Sequence, residues 1–192
     1  MGPIRFIAVA AVALGLPLRG QEAPGTAALK ALLDAPSERI DLYAGVLLLG
    51  AQAGRAVPPH LDYLLRLTKA AGESIAAGDG SHAACLAAAA GVVFGAEGFR
   101  ADHEDLSLEA LTLPRAIEQK RGPPIMIVVL VLAALRDAPA AAQVICAGGR
   151  YFVRMGPAGQ ERFLDVESGR VAAPGGRWRG SGSSFRSSDF GG

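Results

Sequence analysis

A chain of 192 residues, 51% hydrophobic and 19% charged, is long enough to bury one core and short for two. Its 19 basic and 18 acidic side chains nearly cancel, without a one-sign run in the central part, which excludes a surface built for nucleic acid or anionic lipid. Alanine dominates the apolar residues and aromatics supply only 6%, so helix is expected to outweigh strand.

Arg5 precedes an uncharged apolar stretch over residues 6–18, which Arg19 and Gly20 close. A positive start, an apolar middle and a small residue at the end have the form of a secretory signal over residues 1–20. Export to a bacterial periplasm is therefore expected, with a cytoplasmic chain as the alternative if the signal does not function. As a helix the stretch would reach ~20 Å against ~30 Å of hydrocarbon, too short for a stable membrane span. A short helix is expected over residues 26–33 and a second over residues 37–53, opened by Ser37 and carrying Ile40, Tyr43, Val46 and Leu47 at three-and-four spacing. Pro58 and Pro59 start a third, whose apolar stripe reads Leu61, Leu64, Leu65 and Thr68. Ser81 caps a fourth that runs through Cys85 and an alanine run to about Phe94. Residues 95–105 read as a loop.

A short amphipathic helix is expected over residues 114–120, followed by Gly122-Pro123-Pro124 and an apolar run over residues 125–135. Periodicity does not separate helix from strand in that run. The proline start and the Ala133-Ala134-Leu135-Arg136 ending decide for a buried helix. Three short strands, over residues 143–147, 151–155 and 162–165, are separated by glycine-rich turns and predict an antiparallel meander. From Gly169 the composition turns to glycine, serine and arginine with isolated Trp178, Phe185 and Phe190, a disordered tail on compositional grounds. The expected organisation is thus a signal (1–20), one α+β domain (21–168) with helices to about 137 and strands over about 143–165, and a tail (169–192).

Three segments in order carry a resemblance: GFRADHED, PRAIEQKRGPPI, and GGRYFVRM followed by RFLDVESG, with IDLYAGVLLLGAQAG before them. Together they resemble the SirB-type transglutaminase-like family from about residue 40 to 169. The resemblance implies a truncated papain-like core, a helical half packed with a small antiparallel sheet. In the wider superfamily a cysteine at the start of a core helix is activated by a histidine on one strand, and an aspartate on the next strand orients that histidine. Residues 123–128 fall on the nucleophile region and contain no cysteine, serine or threonine; Pro124 stands there. Arg150 falls on the histidine position, and Asp165 fits the third. Pro124, Arg150 and Asp165 are therefore relic-site candidates, no catalytic residue is assigned, and an Arg150–Asp165 ion pair is expected across neighbouring strands.

Other candidates are weaker. Cys85 and Cys146 have no metal-ligand spacing; in an oxidising compartment they would pair, for ~4 kcal/mol in the chain-entropy model, and otherwise they are two buried thiols. His82 lies one helical turn before Cys85, but a buried cysteine beside it is ordinarily inert. His60 reads as a polar residue of a helix's first turn. Asp102-His103-Glu104-Asp105 has the right atom types for a cation, yet consecutive residues rarely converge on one ion, and it reads as a solvated loop. No metal and no cofactor is implied. Arg177-Trp178-Arg179 and Phe185-Arg186 read as parts of a solubilising linker. Two function classes result: a non-catalytic domain that binds a protein or peptide or serves as a scaffold, and a cysteine-dependent hydrolase or acyltransferase centred on Cys85 or Cys146.

Overall fold

A computed structural model of the chain describes residues 57–173 apart from 106 and 108. The expected signal, the helices over 26–33 and 37–53 and the greater part of the tail lie outside the described residues.

Helix α1 (Pro58–Ala76) begins on two prolines, whose fixed φ and missing N–H suit a first turn, and buries His60, Leu64, Leu67, Thr68, Ala71 and Ile75. The buried stripe is rotated from the one expected: Leu67 faces the core and Leu65 is exposed, because positions 60, 64, 67, 71 and 75 hold a straighter line on the cylinder. Helix α2 (His82–Ala90) opens on Ser81, whose Oγ accepts a hydrogen bond from the Ala84 N–H at 3.1 Å, as its sequence position predicts. The helix does not end in a loop. It passes into a π-helical segment, Gly91–Ala96, which includes part of the expected loop. A two-residue strand β1 (Arg100–Ala101) then pairs in parallel with β2 (Arg121–Gly122), where Arg100 N–H bonds to the Lys120 carbonyl at 3.0 Å and Asp102 N–H to that of Gly122 at 2.8 Å. Pairs this short leave no periodicity in a sequence.

Helix α3 (Leu113–Gln119) ends on Lys120, which adopts the left-handed conformation (φ 54°) and turns the chain into β2. Helix α4 (Pro124–Ala134) is buried almost all round. The helical reading of the apolar run is correct, and its lack of an amphipathic face follows from its place at the centre, between α1 on one side and β4 (Arg150–Met155) on the other. Thr68 Oγ donates to the Ala133 carbonyl at 3.0 Å and ties α1 to the end of α4.

The meander forms as expected, β3 (Ala142–Ala147), β4, β5 (Arg162–Asp165), and continues into a fourth strand, β6 (Arg170–Ala172), inside the residues expected to begin the tail. Only Val171 is β-branched there; pairing of Leu164 with Val171 and Asp165 with Arg170 supplies what local composition does not. The result is an α+β core in which α1, α2 and α4 pack on one another, and α2 and α4 lie against the sheet. Among the described residues no helix is long and apolar enough to cross a membrane.

Candidate functional site

Side chains two apart on a strand share a face, and Asp165 on β5 pairs with Phe152 on β4. Arg150, two residues before Phe152, therefore lies diagonally across from Asp165 on the same face. The expected ion pair is present: Arg150 Nη2 donates to Asp165 Oδ2 at 2.6 Å, with the two side chains 13% and 2% exposed. The Asp165 carboxylate has two further donors. Ser168 Oγ donates to Oδ2 at 2.7 Å and the Glu167 N–H donates to Oδ1 at 3.0 Å, so the carboxylate also caps the turn leading to β6. Glu167 Oε2 stands 3.0 Å from Arg150 Nε, close enough for charge attraction but not aligned as a hydrogen bond. Its other oxygen is 3.3 Å from His103 Nε2. The arginine also lies over the Phe152 ring at 5.9 Å.

Chemically this constellation holds an anion in place and does little else. An arginine keeps its protons in proteins and cannot serve as a base. The third relic candidate, Pro124, is buried in the first turn of α4 and offers no heteroatom on its side chain.

The other candidates are scattered. Cys85 and Cys146 are free thiols, the first fully buried on α2, the second exposed on edge strand β3, and they are not joined. Burial, reinforced by the charge of Asp79, pushes the Cys85 thiol up, the wrong direction for a nucleophile. His82 packs its ring against Gly156. His60 lies in the first turn of α1, as its sequence position implied, is buried there and meets Glu118 at 3.2 Å, linking α1 to α3. The four residues from Asp102 diverge: Asp102 pairs with Arg121 at 2.7 Å, Asp105 with Arg115 at 3.5 Å, His103 with Glu167, and Glu104 approaches Arg121 at 3.8 Å.

Sequence reasoning missed a second polar cluster. Lys120 Nζ donates to Glu97 Oε2 at 2.6 Å and to Tyr63 Oη at 2.7 Å, Tyr63 donates to the same carboxylate oxygen at 2.7 Å, and the ammonium lies 4.2 and 4.6 Å from the Tyr63 and Phe99 ring centres. The Lys120 hydrogen bond holds the Glu97 carboxyl below the usual range, while burial, followed by the bond to Glu97, pushes the Tyr63 phenol up. The cluster fastens α1, the end of the π-helical segment and the end of α3. Its members are 23 to 57 positions apart and share no local motif.

Sequence also missed a cleft of about 590 Å³ beside the turn that Asp165 caps. One wall is the α2 and π-helical face, the other the turn at Glu167 and Ser168 with Val171 of β6. A family model described as the transglutaminase-like superfamily matches residues 58–174, the described core almost end to end. No curated protein and no solved structure matches the chain significantly.

Proposed function

The chain belongs to the transglutaminase-like superfamily, and from that membership we propose that it is a SirB-type, non-catalytic member that binds a polypeptide segment of a protein or peptide partner. The observation that carries the reading is the buried Arg150–Asp165 pair. At the three positions to which the resemblance assigns nucleophile, base and orienting acid stand a buried proline, a permanent cation and a carboxylate already bonded to three donors. The cleft next to this pair supplies a concave surface with apolar walls and few polar groups, the usual form of a binding site. The alternative, a thiol-dependent hydrolase or acyltransferase, has only Cys85, buried and raised in pKa, and Cys146 on the exposed edge strand.

Two measurements test the reading together. Native protein titrated with a thiol-reactive probe near neutral pH should show Cys146 labelling at the rate of an ordinary exposed thiol and Cys85 labelling only on unfolding; a hyper-reactive cysteine restores the enzyme reading. A displayed random-peptide library panned on the full chain should return a consensus whose binding is lost when Gly95 in the cleft wall is replaced by leucine. Binding indifferent to that change refutes the cleft as the site.

A further inference from the structure

The two walls of the cleft differ in a way that points to an occupant. On the helical wall, Gly91 and Gly95 lie one turn apart, and a Cβ added at either would meet nothing within 4 Å, so the space beside them is open, with Phe94 next to it. Arg100 lines the cleft but is engaged with backbone, donating through Nη1 to the carbonyls of Phe94 and Phe99 at 2.7 and 2.6 Å. On the opposite wall stand Glu167, whose carboxylate oxygens already face Arg150 and His103 at 3.0 and 3.3 Å, and Val171, which adds an apolar surface. Val171 sits in the final described strand, which ends at Ala172, so the chain leaves the sheet at the rim of the cleft.

Beyond Ala173 the chain continues as Pro174-Gly175-Gly176-Arg177-Trp178-Arg179. Trp178 lies six residue steps beyond Ala172, a reach of at most ~20 Å when extended. A proline followed by two glycines is composed to reverse direction within that reach. Trp178 is the chain's single tryptophan, the largest apolar group after the sheet, and it is flanked by two arginines of the charge opposite to Glu167. An aromatic anchor delivered by a short tether suits an apolar floor left open beside two glycines.

We propose that the cleft is occupied in cis by the Arg177-Trp178-Arg179 segment, with the indole against Gly91, Phe94, Gly95 and Val171. The inference rests on the reading of the cleft as a polypeptide site and deepens it: the chain's own C-terminal segment is the resident competitor of an external one.

The single tryptophan makes the test specific. In the full chain, acrylamide should quench Trp178 several-fold less efficiently than in the same chain unfolded in urea. Gly91→Leu and Gly95→Leu, each filling open space, should expose the indole while leaving the urea midpoint in place. A dye-labelled peptide of residues 174–182 should bind the full-length Trp178→Ala chain several-fold more tightly than wild type, because only the variant lacks the competitor. A wild-type indole as quenchable as in urea overturns the proposal, as does a protected indole that neither glycine variant exposes. An exposed indole with equal peptide binding to both chains overturns the cis occupant and keeps the cleft as a polypeptide site; an exposed indole with no peptide binding to either overturns both.

Discussion

Asp165→Asn is the most direct probe of the buried pair, since it removes one charge and almost no volume. Asparagine keeps an oxygen that can accept from the Glu167 N–H, but the position that accepted from Arg150 and Ser168 would now carry an amide or be forced to share one oxygen among all donors. Arg150, 13% exposed, would retain the poorly aligned Glu167 contact and its place over the Phe152 ring. Removing one partner of a buried pair costs about 3–5 kcal/mol, and the surviving contacts place Asp165→Asn near the lower end, about 3 kcal/mol. For a chain of this size that is a fall of roughly 6–12 °C in Tm. Arg150→Met strands a carboxylate that is 2% exposed and should cost about as much or more. Because each single change already breaks the same interaction, the double variant should be less destabilised than the sum by about 2 kcal/mol. Urea unfolding followed by circular dichroism, with unchanged m-values, provides the cycle. The Lys69–Glu73 pair, 79% and 70% exposed, is the control, and Lys69→Ala should cost under about 0.5 kcal/mol. Single variants that each cost less than about 1 kcal/mol, or that add within about 0.5 kcal/mol, would refute the claim that the pair holds the β4–β5–β6 corner together.

The Tyr63–Glu97–Lys120 cluster predicts a pH window with two edges. Glu97, depressed in the fold, contributes stability that is complete above the ordinary glutamate value of about 4.3 and is lost as pH falls through its lower folded value. Tyr63, raised in the fold, contributes below about 10 and loses its contribution as pH climbs beyond that. Urea midpoints measured across pH should therefore show a shallower acid limb in Glu97→Gln and a shallower alkaline limb in Tyr63→Phe; limbs identical to wild type would remove the cluster from the account. Ser81→Ala deletes the cap of α2 and should cost about 1 kcal/mol in the same assay, against a few tenths if the Ala84 N–H finds water instead. Gly122→Ala places a methyl 3.0 Å from the Ala116 Cβ, where α3 and β2 close on each other, and should cost about 1–3 kcal/mol; a neutral result would mean that this junction yields.

The parts of this molecule that the sequence made legible are those governed by local rules. Ser81, Pro58 and Pro124 mark helix starts through capping and proline geometry, glycine turns mark the meander, and the alternation in β4 and β5 places Arg150 and Asp165 on one face. The features that escaped depend on partners distant in the chain. Strand β6 exists because Leu164 and Asp165 offer a ladder to residues with little strand preference of their own, and the π-helical segment packs on α1 and α4, which lie elsewhere in the chain. The same distinction separates the two halves of the functional site. The positions that the resemblance singles out could be read one residue at a time, since a proline has no thiol and an arginine no base. The cleft could not, because its walls come from a helix near residue 91 and a turn near residue 168.

Physically the two halves form one arrangement. A catalytic aspartate accepts from an imidazole, whereas Asp165 accepts from Arg150 and Ser168 through one oxygen and from the Glu167 N–H through the other. Those same bonds fix the turn that carries Glu167 into the cleft wall. On the proposed reading, an arginine at the position that the resemblance assigns to histidine does more than leave the site without a base. It converts a carboxylate that would orient catalysis into one that braces a binding surface, so loss of the Arg150–Asp165 pair should weaken peptide capture at the cleft as well as the fold.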